Sequence, residues 1–345
     1  MFETVVCATA QHREMMDQVH EVFNLEADID LDLMRPEQGL NELCSRAFAA
    51  VDEVLRTELP DWVLVQGDTT TAMVAALAAF HRDIRVGHVE AGLRTGNLRH
   101  PFPEEANRRV IDVVAEGLFA PTEGAAQVLS TEGAPAENIH VTGNTGIDAL
   151  LAAAANAGDT PPRNEVLITV HRRESFGAPI REIFHALREL AGRFPDHRWI
   201  YPVHRNPNVR RAADEVLGGI GNLELHEPFD YLELVRRLKS SRLILTDSGG
   251  IQEEAPTFGT PVLVLRRTTE RPEGVEAGVA KLVGTDRTTI VEEASKLLTD
   301  GNAYRSMSGV ANPYGDGEAA GRIVSILAGE PYEPFSPNLS APRSS

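Results

Sequence analysis

The sequence predicts an α/β protein of two domains, each built around a parallel sheet. Three observations carry this. Short β-rich runs alternate with longer amphipathic or alanine-rich segments through most of the chain, the pattern of βαβ units. One small, polar, proline-containing stretch, AAAANAGDTPPRNE at 152 to 165, interrupts the alternation and reads as a linker. The 345 residues fit two domains at about 150 residues each.

The strands are expected, in order, at TVVCAT (4 to 9), DWVLVQ (61 to 66), RVGHV (85 to 89), GLFAPT (117 to 122) and NIHVTG (138 to 143) in a domain spanning 1 to 150. EVLITV (165 to 170), RWIYPV (198 to 203), NLELHE (222 to 227), RLILTD (242 to 247) and PVLVLR (261 to 266) follow in a second domain spanning 163 to 312. GEAAGRIVSILAG, 317 to 329, reads as a last helix, and FSPNLSAPRSS, 335 to 345, has the composition of a disordered end. No repeat of solenoid period and no low-complexity tract is present.

Hydrophobic residues at 42% and charged residues at 24% are ordinary globular values. The net charge of -18 opposes binding to nucleic acid or an anionic membrane. Local cationic groups can still hold a small anion. Cys7 and Cys44 are the two cysteines, too few for a disulfide framework or a thiolate metal cluster. Apolar runs such as AMVAALAAF, 72 to 80, fall far short of a bilayer span. A soluble, cytoplasmic protein is expected.

In open parallel sheets ligands bind beyond the carboxyl ends of the strands. The strand ending at residue 66 runs into GDTTT, which puts Asp68 at its exit, with Thr69, Thr70 and Thr71 available to cap the next helix. Alone, Asp68 is read as a cap. The next strand releases HVEAGLRTG, placing Glu90 at the same edge. HPFPEEANRR, 100 to 109, then opens a helix in which Glu104 with Arg108 and Glu105 with Arg109 are i,i+4 pairs. By themselves these are a solvated face worth about 0.3 to 0.5 kcal/mol per pair. With Asp68 and Glu90, an acid/base pocket of three carboxylates and an arginine is the better account, because closely spaced carboxylates push one another's pKa values apart.

The later domain offers cations at two strand exits: His171, Arg172 and Arg173 in HRRES, and His204 and Arg205 in HRNPNV. In so acidic a chain these read as an anion site. TDSGGIQEEAP, 246 to 256, adds Gly249 and Gly250, expected in a tight turn, and a helix from about Ile251 whose first N–H groups suit a phosphate. Ser248 can add its hydroxyl. RTTERPEG brings Glu270 and Arg271 to the same rim. GxGxxG, Walker A, HExxH, GxSxG and CxxC motifs are absent, so neither NAD nor a metal is implied.

The motifs GDTTT, HVEAGLRTG, PEEANR, TGNTGIDAL, HRRESFG, YPVHRNPNV, TDSGGIQEEAP, TTERPE and NPYGDG, in this order, resemble the non-hydrolysing UDP-N-acetylglucosamine 2-epimerases. The resemblance runs from TAQHREM near residue 9 to about residue 325. It implies a GT-B-like pair of Rossmann-like domains, an active site in the interdomain cleft, a C-terminal helix (317 to 330) completing the first domain, and a homodimer. It also implies interconversion of UDP-GlcNAc and UDP-ManNAc without NAD or metal. UDP would leave anti across C1 and C2 to give 2-acetamidoglucal, then add back after C2 is reprotonated on the other face. Position by position, Asp68, Glu90 and Glu104 fall on the family's catalytic acids, Arg108 on its cleft arginine and His171 on its phosphate-side histidine. Ser248, Gly249 and Gly250 cradle phosphate, Glu254 holds ribose, Arg271 contacts UDP, and Phe229 and Leu234 fall on the segment holding uracil. Glu253 receives no role. Gln11, His12 and His204 resemble part of the family's activator pocket, although Glu14 stands where some members carry Gln.

One departure is clear. Family members begin with a further βα unit carrying a motif close to GTRPEAIKMAP, whose arginine and lysine line the UDP site. This sequence enters one such unit late, so the first sheet is expected to lack a central strand. A retaining GT-B glycosyltransferase, a hydrolysing 2-epimerase and a non-catalytic UDP-sugar-binding protein stay open as alternatives.

Overall fold

The computed structural model describes residues 2–11, 19, 21–35, 37–158, 164–172 and 177–337. Every strand pairing in it is parallel. The chain divides into one unit of Met1–Thr145 with Gly317–Ser336 and another of Gly146–Asp316 with Pro337–Ser345.

In the first unit, β1 (Cys7–Ala8) pairs with β2 (Ile29–Asp30), and β3 (Trp62–Gln66), β4 (Arg85–Val89), β5 (Gly117–Ala120) and β6 (Ile139–Val141) form a second sheet in that order. The two sheets are separate, and Leu64 on the edge strand β3 is 48% exposed. The core lies between the four-stranded sheet and its helices, with Val65, Ala79, Val86, Ile111 and Leu118 buried. Gly87 in β4 is there for space. A Cβ would stand 2.5 Å from Leu64 Cδ2 and 2.9 Å from Phe119 Cε2, closer than real contacts allow. The helix Thr70–Phe80 is capped by Thr69, whose hydroxyl accepts from Ala72 N.

The last helix is Ala319–Ala328 and belongs to this unit. The chain then runs back along β6. Arg322 donates to Thr142 O and Glu333 O, the Tyr332 hydroxyl lies 2.9 Å from His140 Nδ1, and Phe335 N donates to Val141 O. The disorder expected from residue 335 therefore does not begin there: the Phe335 ring is 2% exposed, its apolar burial outweighing the polar composition around it. Residues 338–345 of that expected tail lie outside the described residues.

In the second unit, β7 (Glu165–Thr169), β8 (Arg198–Pro202), β9 (Leu223–His226), β10 (Ser241–Thr246), β11 (Val262–Val264) and β12 (Ala280–Leu282) form one sheet in the order β12-β11-β10-β7-β8-β9. β7 is thus central, and its exit is flanked by those of β8 and β10. Ile168, Phe184, Trp199, Tyr201 and Leu245 are buried in a continuous core. Truncating a ring such as Phe184 to Ala in such a core costs about 3 to 5 kcal/mol.

The stretch expected as a linker is helical through its first part. The helix Thr145–Asn156 runs on through the alanines, which are the best helix formers. Beyond it, Ala157 O accepts from Arg236 and Gly158 O from Lys239. Glu165, its last residue, is buried in β7. The division of the chain falls after Thr145, the first residue of this helix, whose remaining residues belong to the later unit.

Candidate active site

β3 and β4 are neighbours, so their exits place Gly67-Asp68 and Glu90 side by side. Gly67 N donates to Val89 O at 3.1 Å, and Glu90 Oε2 lies 3.8 Å from where a Cβ on Gly67 would stand. Asp68 is ion-paired with Arg108, and its carbonyl accepts from Asn107 Nδ2 at 2.8 Å. Glu90 has φ 71°, left-handed for a residue with a side chain. That conformation costs about 1 kcal/mol or more and persists only where the surroundings enforce it. Here both Glu90 N and Ala91 N donate to Phe119 O at 3.1 Å.

The helix Glu104–Val114 supplies the remaining groups. Of the two expected i,i+4 pairs, Glu105 with Arg109 forms, at 3.1 Å. Arg108 instead turns to Asp68 and, at 3.5 Å, to Glu105. Tertiary contact overrides the local spacing because Glu105 is fully buried and needs donors. Burial opposes its ionisation, but the amides of Thr95 and Gly96 and the Arg109 and Arg108 guanidiniums hold its pKa below the ordinary carboxylate value. Glu104 Oε2 is left buried with no hydrogen-bond partner among the described residues.

Behind these acids lies a buried frame on which sequence reading was silent. His88, fully buried in β4, has Nδ1 2.5 Å from Asp112 Oδ1 and Nε2 2.9 Å from Gly67 O. Asp112 Oδ2 accepts from Arg94 at 2.7 Å and Gly92 N at 3.3 Å. The frame therefore grips the residue just before Asp68. Gln11 accepts from the Thr71 hydroxyl at 2.9 Å, while His12 lies outside the described residues.

In the later unit, the exits of β7, β8 and β10 meet at an open pocket of about 210 Å³. Its lining includes His171, His204, Phe229, Leu234 and Ser248 of the expected residues, with Thr169, Pro228 and Ile251 beside them. The His171 and His204 rings are stacked, centroids 5.5 Å apart. Asp247, fully buried and missed in the sequence, organises the exit: it accepts from His171 N at 3.0 Å and Arg172 N at 2.9 Å, and lies 3.4 Å from His171 Nδ1. Burial pushes the His171 ring below the ordinary histidine pKa against the pull of Asp247. The signal for Asp247 was its place beside Ser248 at the end of an apolar strand.

The helix begins at Gly249, two residues earlier than expected, with Ser248 as its N-cap and no side-chain cap bond on its first N–H groups. Neither Gly249 nor Gly250 has a positive φ, so no tight turn demands them. Their effect is clearance: a Cβ on Gly250 would meet nothing within 4 Å, and one on Gly249 only Arg172 Nη2 at 3.5 Å. One turn on, burial and then the neighbouring Glu253 push the Glu254 carboxyl up to about 7. Arg271 is ion-paired with Glu253. Arg173 lies outside the described residues. Among the described residues no cluster of His, Cys, Asp or Glu could hold a metal ion, and no helix is long and apolar enough to cross a membrane.

Parallel sheets with polar groups gathered beyond their carboxyl ends define a Rossmann-like α/β enzyme, with a parallel sheet of this kind in each of two units. The family model for UDP-N-acetylglucosamine 2-epimerase matches residues 1–328, and the chain belongs to that family. A UDP-N-acetylglucosamine 2-epimerase of Escherichia coli (strain K12) is 50% identical over 341 residues, covering 94% of this chain and 91% of that one. The structure of UDP-GlcNAc 2-epimerase from Neisseria meningitidis bound to UDP-GlcNAc superposes with a TM-score of 0.85 at 45% identity, covering 95% of this chain and 92% of that one. That of the Methanocaldococcus jannaschii enzyme in complex with UDP-GlcNAc and UDP gives 0.73 at 33%, covering 92% and 89%. These relatives match the GT-B-like pair of Rossmann-like domains expected from the sequence.

Proposed function

We propose that this chain interconverts UDP-GlcNAc and UDP-ManNAc, with the first unit acting on the sugar and the second holding UDP. The carrying observation is Glu104: a carboxylate oxygen buried without a partner among the described residues, one helical turn from the Arg108–Asp68 pair. A base kept unengaged beside an engaged pair suits proton abstraction from carbon, which needs positioned carboxylates. The C2–H bond breaks toward a carboxylate of the Asp68, Glu90 and Glu104 set, the C1–O bond breaks with its electron pair leaving on UDP, and a C1=C2 double bond forms. Re-addition of UDP at C1 with protonation of C2 from the opposite face gives the epimer. His171, Ser248, Gly249, Gly250 and Arg271 are assigned the diphosphate, where charge develops, Glu254 the ribose, and Phe229 and Leu234 the uracil. The two relatives described with UDP-GlcNAc support the substrate.

The same reading assigns the chain to the cytoplasm as a homodimer, supplying ManNAc units for cell-surface polysaccharide, with Gln11, His12 and His204 in an activator pocket. Incubation with UDP-GlcNAc in deuterated water tests the chemistry. Epimerisation puts deuterium at C2 of recovered UDP-sugar and keeps UDP attached. Free ManNAc and UDP would mark the hydrolysing reaction, and unexchanged C2 would leave a glycosyltransferase or a binding protein. Light scattering tests the dimer.

A further inference from the structure

Four polar side chains of the later unit have no part in the chemistry above: Gln252, Glu253, Asn312 and Tyr314. They join the Ser248 turn to the Arg271 loop. Gln252, 1% exposed, donates from Nε2 to Ser248 O at 3.0 Å and accepts on Oε1 from the Thr269 hydroxyl at 2.7 Å. That hydroxyl oxygen accepts from Arg271 N at 3.0 Å. The Arg271 guanidinium is ion-paired with Glu253. Tyr314, 2% exposed, donates from its hydroxyl to Arg271 O at 3.1 Å and accepts there from Gly274 N at 2.8 Å. Asn312 Nδ2 donates to Glu253 O at 2.9 Å and to the Thr257 hydroxyl at 2.8 Å, and its Oδ1 accepts from Tyr314 N at 2.9 Å. The circuit is closed. It starts at the Ser248 backbone, passes through both sides of Arg271, and returns through Glu253 to the same helix.

We propose that Glu253 is a positioning residue that presets the Arg271 guanidinium for the diphosphate of a nucleotide, with Gln252, Asn312 and Tyr314 fixing the register of the two segments. The inference rests on the assignment of UDP to this unit. An arginine left to itself explores many rotamers and loses that freedom when it grips an anion. One already held by a carboxylate loses less, and its fork is aimed before the ligand arrives. Beside the Nε given to Glu253, Arg271 Nη1 donates to Glu270 O at 3.3 Å, so the fork is fixed at two points. The pairing also explains why two adjacent glutamates sit in one helix: Glu254 is given to the ribose and Glu253 to the arginine.

The test is UDP affinity by isothermal titration on the full chain, with thermal melting as a control for folding. Glu253→Ala should weaken UDP binding on the order of tenfold, and Glu253→Gln, which keeps an acceptor, should recover to within about threefold of the unsubstituted chain. Arg271→Ala should weaken binding at least as much as Glu253→Ala. The double variant should be no weaker than Arg271→Ala, since Glu253 acts only through the arginine. A merely structural role would instead give additive losses. If Glu253→Ala does not fold, Tyr314→Phe carries the test, with an expected loss of about threefold. UDP binding indifferent to Glu253→Ala, or additive losses, overturn this inference alone. An unsubstituted chain that binds no UDP overturns the site assignment beneath it.

Discussion

In the first unit the side chains around the candidate acids are held by charge: Asp68 by Arg108, Glu105 by Arg109, and His88 by Asp112 with Arg94 behind it. In the second, one buried carboxylate, Asp247, holds the backbone of His171 and Arg172, neutral hydrogen bonds such as Thr169 to Thr246 at 2.6 Å and Gln252 to Ser248 join the strand exits, and Phe229, Leu234 and Ile251 are apolar walls. The contrast follows from the tasks proposed for them. Moving a proton on and off carbon needs an unengaged carboxylate in a fixed frame, and the buried charges of that frame stay put only when paired. Holding a nucleotide needs shape and a few donors. Charge-held sites should therefore fail steeply at single positions, and pocket-held sites gradually.

The largest expected effect is at Glu104. Glu104→Gln should lower kcat by roughly 10²- to 10⁴-fold while leaving UDP affinity nearly unchanged, measured by coupled turnover and titration. A collapse of UDP affinity would break the division of labour between the units. Next is His88→Ala, which leaves the buried Asp112 carboxylate short of one partner and frees Gly67 O. A loss of about 2 to 3 kcal/mol in urea unfolding is expected, since two buried acceptors, Asp112 Oδ1 and Gly67 O, lose their partner while Arg94 still pairs the carboxylate.

A smaller effect carries a pH signature. Folding raises the Glu254 carboxyl from 4.5 to about 7, so its unfolded form binds fewer protons in that interval. The stability this group contributes is fully present below about pH 4.5 and is lost as pH rises through about 7, by roughly 3 kcal/mol. Glu254→Gln should flatten this slope in melting measured from pH 4.5 to 8. An unchanged slope would move the titration elsewhere. The smallest effect calibrates the comparison: Arg181→Ala, which breaks the exposed pair with Glu215, should change stability by no more than about 0.5 kcal/mol. If that surface pair costs as much as His88, burial is not what gives the first unit its steepness.

What could be read from the sequence was whatever depends on strand exits. Asp68, Glu90, His171, His204 and Ser248 each follow an apolar run, and the order of elements alone brings them to the rims. What could not be read depends on packing. Arg108 had a partner at the correct helical spacing and took Asp68 instead, a contact between residues 40 positions apart. Asp112, Gln252 and Tyr314 sit inside helices or loops with nothing in their neighbours to announce a partner. β2 and β12, two and three residues long, are too short for a period of two to appear. The alanines at 152 to 155 looked like a linker by their smallness, yet small residues with high helix propensity extend a helix that already has a start.

Glu90 sits where backbone and chemistry ask for different residues. Its left-handed φ of 71° favours glycine, so Glu90→Gly relieves the backbone of about 1 kcal/mol while removing a proposed catalytic acid. Selection for stability alone would drift this position toward glycine, and selection for turnover would pull it back. In a library of random variants sorted first for folding and then for epimerisation, position 90 is where the two rankings should part.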